Sequence, residues 1–196
     1  MEVAAPTEAE SAYLDAARER ILAVGWRRTT LTDVAKGAGV SRMTIYRRWP
    51  DMQALLGDLL VREWTGLLDA SGITDGSDGA SGREILARAV PAMVAAVRGN
   101  ELFSKIVELD PDLLHPYLFE RLGRNQSWIL DVLGEVIRSG QADGSVRAGD
   151  APTLARALLL TCHGFVLSAR IAHTTHTPLR RIDDELGTIV DRYLAP

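Results

Sequence analysis

This chain predicts an all-α fold, with a small N-terminal three-helix head followed by a larger helical body, and three observations carry the prediction. Apolar residues recur at three- and four-residue spacing through most of the 196-residue sequence. Thr, Ser or Asp stands just before several of those runs, where a side-chain oxygen can accept from the free N–H groups of a helix start. Two short capped runs flank Gly39 in the pattern of a helix-turn-helix.

The first helix opens at Thr7, where T-E-A-E forms a capping box with Glu10, and runs to Gly25. Its Leu14, Ala17, Ile21 and Val24 share one face. Thr30 with Asp33 is an Asp variant of the same box and starts a short helix, Leu31 to Ala38. Gly39 supplies the left-handed residue that turns the chain, Val40 plugs the angle, and Ser41 caps the next helix. At about 100° per residue, Ile45 and Trp49 face inward with Val34, Ala35, Ala38 and Val40. Met43, Thr44, Tyr46 and Arg47 face outward, flanked by Arg42 and Arg48.

Such a face suits DNA. Arg42 can read guanine and Met43 can touch a thymine methyl, while Thr30, Ser41, Thr44, Tyr46, Arg47 and Arg48 supply hydroxyl and cationic groups for the adjoining phosphates. The plainer alternative is a helical hairpin whose basic face is only solvated. Charge distribution favours DNA. The chain carries 22 Lys and Arg against 26 Asp and Glu, yet 27–48 holds six basic residues against the single acid Asp33. That segment sums to +5 and the remainder to −9, a local basic patch on an acidic body.

Asp51 caps a fourth helix, 51–70, whose Leu55, Leu56, Leu59, Leu60, Trp64, Leu67 and Leu68 form a stripe wide enough to touch both head and body. The predicted boundary puts 1–51 in the head and 52–196 in the body. Ser71 to Gly82 reads as a mobile glycine-rich loop; its Asp75 and Asp78 miss the spacing of a calcium loop. Further helices are expected over 83–98, 101–109 and, as one long element, 116–139. Asn125 and Gln126 interrupt the apolar stripe of that last helix, where amides can anchor a ligand or pair with a neighbouring helix. Asp150 caps an almost wholly apolar helix over 150–173, expected to be buried on two sides. Thr177 and Pro178 open the final one, 178–194, with Leu179, Ile182, Leu186, Ile189 and Tyr193 at 3-4 spacing.

The stretch T-L-T-D-V-A-K-G-A-G-V-S-R-M-T-I-Y-R-R-W-P-D, Thr30 to Asp51, closely resembles the tetracycline-repressor (TetR) family of transcriptional regulators. A-V-G-W at Ala23 to Trp26 precedes it, and an apolar helix from Met52 follows. The resemblance covers the first quarter of the chain at residue level. It departs where family members commonly carry a phosphate-binding Lys near the start of the fourth helix, because this chain has Met52 there. The resemblance implies a homodimer built by the last two helices as a four-helix bundle, and a small-molecule effector that enters the body and moves the heads through helix four. A twofold pair of reading helices about 34–36 Å apart implies a palindromic operator. Candidate effector-lining residues are Phe103, Gln126, Trp128 and His163.

Catalysis finds little support. No P-loop, Rossmann glycine run, G-x-S-x-G or H-E-x-x-H occurs. Cys162 and His163 are adjacent on a helix and diverge by about 100°, so they are poorly placed to share a proton. His173 and His176 read as surface residues rather than metal ligands. No cofactor, no metal and no membrane partner is expected: the sequence shows no signal peptide and no apolar run of spanning length. A lone Cys162 and the absence of a leader predict a cytoplasmic protein. The competing readings are a helical ligand-binding or interaction protein that does not engage DNA, and a small all-helical enzyme.

Overall fold

The computed structural model describes residues 7–73 and 79–196, so Asp75 and Asp78 of the expected mobile loop lie outside the described residues. Among those residues all regular structure is helical: α1 Glu8–Val24, α2 Leu31–Gly37, α3 Arg42–Arg48, α4 Met52–Ser71, α5 Gly82–Gly99, α6 Glu101–Leu109, α7 His115–Phe119, α8 Arg124–Ala142, α9 Ala151–Ala172 and α10 Leu179–Leu194. Single 3-10 turns occupy Trp26–Arg28 and Pro111–Leu113. The chain divides into two compact units, Met1–Thr65 with Gly99–Asn125, and Gly66–Arg98 with Gln126–Pro196. The 1–51 segment falls wholly in the first, which also takes in most of α4 and residues 99–125.

The first unit is built on its caps. Thr7 and Glu10 form the expected capping box at α1, and Thr30 with Asp33 forms the one at α2. Gly39 turns the chain at φ 66°, a conformation that a Cβ would strain. Leu14, Ala17 and Ile21 of α1 pack on Val34 and Ala35 of α2, Ile45 of α3 and Trp49 at its C-cap, and Leu55 and Leu59 of α4. Leu102 and Ile106 of α6 complete this core. Asp110, at the end of α6, is buried and accepts from the Trp26 N–H at 3.1 Å while pairing with Arg27 Nε at 3.1 Å. That buried carboxylate pins the α1–α2 connection to α6.

In the second unit, Leu86, Ala89 and Val90 of α5, Leu133 and Ile137 of α8, Leu154 and Leu158 of α9, and Leu186, Val190 and Leu194 of α10 share one core. Helices α5 and α8 cross at Gly82 and Gly140: a Cβ at Gly82 would stand 2.6 Å from Gly140 Cα. Arg98 Nη2 donates to Asp183 Oδ2 at 2.6 Å, a largely buried ion pair between α5 and α10. Helix α4 supplies Leu55, Leu56 and Leu59 to the first core and Leu68 to the second, which accounts for the width of its apolar stripe.

Several expectations need correction. The single helix over 116–139 is two, α7 and α8, broken at 120–123. Arg121 N–H reaches back to the Pro116 carbonyl at 2.8 Å, Gly123 follows, and Leu122 is exposed, so no buried stripe holds the segment in one helix. Asn125 and Gln126 therefore sit in the first turn of α8 rather than in the middle of a stripe. Pro178 is the N-cap of α10, one residue earlier than its expected place, and Ile189 is exposed while Val190 and Leu194 are buried. Helix α9 is not covered on two sides within the chain, because Leu160 and Ile171 lie 69% and 87% exposed. It is also, by length and composition, apolar enough to cross a bilayer, contrary to the sequence expectation. A helix that packs apolar faces against other protein passes the same test.

Candidate nucleic-acid interface

Each residue of the α2–α3 region has its position set by local chemistry. Thr30 Oγ1 donates to Asp33 Oδ2 at 2.7 Å, the Thr30 N–H donates to the same oxygen at 3.0 Å, and the Asp33 N–H returns to Thr30 Oγ1 at 3.2 Å. These bonds, first the one from the Thr30 hydroxyl, hold the Asp33 carboxyl below its ordinary pKa. Ser41 Oγ accepts from the Thr44 N–H at 3.2 Å and shares a 2.8 Å hydrogen bond with Thr44 Oγ1. Thr30, Ser41 and Thr44 thus already use their hydroxyls to define the helix starts.

Ile45 and Trp49 are the inward anchors of α3, at 0% and 1% exposure. Anchoring those two turns Arg42, Met43, Tyr46 and Arg47 to the surface, and Met43, at 74% exposure, is bare for a large apolar side chain. Arg42 lies over the Tyr46 ring, 5.0 Å from its centroid, and donates to the phenolic oxygen at 3.3 Å. This i,i+4 pair presents a guanidinium and an aromatic ring as one unit.

The basic residues divide into two sets. Arg27 is bound to Asp110 and Asp112, and Arg48 to Glu10 and Asp58. Arg28, Lys36, Arg42 and Arg47 form no ion pair among the described residues. Asp58 is the member of this region that sequence reading missed. Its Oδ2 accepts from Trp49 Nε1 at 2.8 Å and lies 3.2 Å from Arg48 Nη2, while its Oδ1 accepts from Arg124 Nη2. No linear spacing announces a contact between α3, α4 and the start of α8. Met52, standing where the resembled family carries Lys, is half-buried against the first core, and Asp51 accepts from the Ala54 N–H at 2.8 Å as the cap of α4.

The candidate effector residues separate. Gln126 Nε2 and His163 Nε2 meet at 3.3 Å in the second unit, and burial pushes the His163 pKa down. Trp128 packs against the core of that unit. Phe103 belongs to the first unit, where its ring stacks edge-on with Trp64 at 5.7 Å. Cys162 is a half-buried thiol whose pKa is pushed up to about 12 by desolvation, which disfavours the thiolate that a nucleophile needs. His173 and His176 are exposed, as expected.

A helix-turn-helix at the head of an all-helical chain defines a helix-turn-helix transcriptional regulator, and similarity to known proteins narrows the class. The family described as bacterial regulatory proteins, tetR family, matches residues 14–59. An uncharacterized HTH-type transcriptional regulator of Mycobacterium tuberculosis is 35% identical over 158 residues, covering 81% of this chain and 80% of that protein. Among solved structures, a putative TetR-family regulator from Rhodococcus sp. matches with a TM-score of 0.69 at 21% identity, covering 96% of this chain and 99% of that one. FadR from Bacillus subtilis, solved in complex with stearoyl-CoA, matches with a TM-score of 0.66 at 18% identity, covering 92% and 96%. The chain belongs to the TetR family of transcriptional regulators. The expected all-α class and the resemblance of Thr30 to Asp51 are both borne out.

Proposed function

We propose that the protein is a dimeric, ligand-responsive repressor that binds a palindromic operator and is released by a small-molecule effector. The observation that carries this reading is the outward face of α3, where Arg42, Met43, Tyr46 and Arg47 stand exposed on a helix fixed by Ser41, Ile45 and Trp49. In this reading 1–51 is the DNA-reading head, 52–196 the effector and dimerisation body, and α4 the link. Arg42 reads guanine, Met43 packs on a thymine methyl, and Thr30, Ser41, Thr44, Tyr46, Arg47 and Arg48 serve the phosphates. Arg48 reaches a phosphate only by sharing itself with Glu10 and Asp58.

One short helix reads few base pairs, so two copies are needed. Helix α9 supports self-association, since Leu160, Gly164 and Ile171 are exposed at helical spacing and Leu167 between them is half-buried. Pairing through 150–173 and 178–194 would cover that strip and set two α3 helices in successive major grooves. The effector is held in the second unit by the Gln126 and His163 pair with Trp128. A ligand that binds the DNA-free state more tightly by about 1–3 kcal/mol lowers operator affinity 5–150-fold. Selecting bound duplexes from random DNA with the purified full chain tests the reading. A twofold-symmetric motif with half-sites about one helical turn apart supports it, and recovery of no enriched sequence overturns it.

A further inference from the structure

We infer that Asp58 is a positioning residue for the DNA-reading helix, and that Arg124, the first residue of α8, holds Asp58 in place for that task. The two oxygens of this carboxylate are divided between two sides. Oδ2 faces α3, accepting from the Trp49 indole N–H at 2.8 Å with Arg48 Nη2 at 3.2 Å. Oδ1 faces α8 and accepts from Arg124 Nη2. Trp49 closes α3, so its indole fixes where that helix ends and how it is rotated about its axis. A carboxylate with both oxygens engaged cannot turn without releasing one partner set, so a displaced Arg124 loosens the grip on Trp49 and Arg48.

Gly57 shows that the approach of Arg124 is built into α4. Glycine is unfavourable inside a helix relative to alanine, yet Gly57 stands in the second turn of a 20-residue one. A Cβ there would lie 3.0 Å from Arg124 Nη2, and the other atom within 4 Å is Cζ of the same guanidinium. The glycine leaves room for Arg124 and for nothing else nearby. Charge gives a second reason: without Arg124, the acids Glu10 and Asp58 face the single guanidinium of Arg48.

This inference rests on α3 being the DNA-reading helix, and its test has one arm with no DNA in it. Trp26, Trp49, Trp64 and Trp128 give four indole N–H signals in the full-length protein, and Trp49→Phe assigns the one that matters. In the DNA-free protein, Arg124→Ala and Gly57→Leu are expected to shift the Trp49 signal, with the melting temperature unchanged for the first and unchanged or raised for the second. With a duplex recovered from random DNA, both are expected to lose affinity on the order of tenfold, and Arg124→Lys to restore it to within about twofold. Unshifted Trp49 signals in both variants overturn the inference, as does an affinity loss that follows the melting temperature and is not rescued by lysine. If the wild-type chain selects no duplex, the repressor reading fails, and the Trp49 signal alone still decides whether Arg124 positions Asp58.

Discussion

Arg42 and Arg48 stand six residues apart on one short helix in opposite electrostatic circumstances. Among the described residues Arg42 pairs with Tyr46 and with no carboxylate, whereas Arg48 has two carboxylates. Arg42→Ala is therefore expected to cost about 1–3 kcal/mol of operator affinity and to relax selection at one base, measured by anisotropy against single-base variants of the duplex. Arg47→Ala should weaken all duplexes alike and lower the slope of log K against log salt by about 1. Equal losses on every duplex for both variants would remove the base-reading role of Arg42. The acidic residues at helix starts make a separate prediction. Glu10, Asp33, Glu84 and Asp150 are held below their ordinary values, each first by a hydrogen bond from a neighbouring Thr or Ser, and Asp143 first by the Ser145 hydroxyl. A carboxyl with a depressed pKa in the folded state adds stability that is complete above its unfolded value and lost as pH falls through the folded one. Melting temperature should thus drop below about pH 4.5, the ordinary Glu value, in addition to any earlier loss below pH 6.5 from His163, whose pKa burial pushes down. A flat profile to pH 2 would show that these caps add nothing.

At the level of elements, the close crossing of α5 and α8 sets a test of which glycines matter. A Cβ at Gly82 meets backbone, with Gly140 Cα at 2.6 Å and the Val136 carbonyl oxygen at 2.9 Å, and backbone cannot swing aside. A Cβ at Gly134 meets only the tip of Arg138, at 3.4 Å. Gly82→Ala should destabilise by about 1–3 kcal/mol, and Gly134→Ala should be neutral or stabilise by up to about 1 kcal/mol in urea unfolding. Similar effects from both would mean that the helices separate freely. Gly82 could not be ranked from sequence, because the backbone it meets belongs to a helix far along the chain, whereas Gly134 meets Arg138 of its own helix. What was legible was local: the capping boxes at Thr7 and Thr30, the Ser41 and Asp150 caps and the turn at Gly39 all depend on residues within four positions. The break at 120–123 escaped because Leu118 and Leu122 keep the helical period although Leu122 has no core to enter. In α10, Leu186 enters the core as expected, but Val190 takes the inward place expected of Ile189 for a related reason. Its Ile189 and Val190 are equally apolar, and only packing decides which of them turns inward.

For the whole molecule, the sum of charge and the strip of bare apolar surface bear on the same question of how many chains act together. A segment of +5 on a chain of −4 gives one protomer few phosphate contacts and a repulsive remainder, so a single copy should hold DNA weakly and with little selectivity. Two copies joined rigidly double the cations on one side and make the second contact intramolecular. The proposed pairing surface is the strip on α9, since Leu160 and Ile171 bury little surface within the chain. Leu160→Glu should leave helical content and the fold of each chain intact while converting a dimer to a monomer in sedimentation velocity. It should also weaken operator binding by at least ~2 kcal/mol, the scale of a central interface residue. An Ala at the same position should be milder, because it leaves no buried charge. Operator affinity must fall together with the dimer, at protein concentrations where the two can be followed in parallel. A monomeric variant that still bound the palindrome at wild-type strength would mean that each head acts alone, and a Leu160→Glu chain that stayed dimeric would place the pairing surface somewhere other than α9.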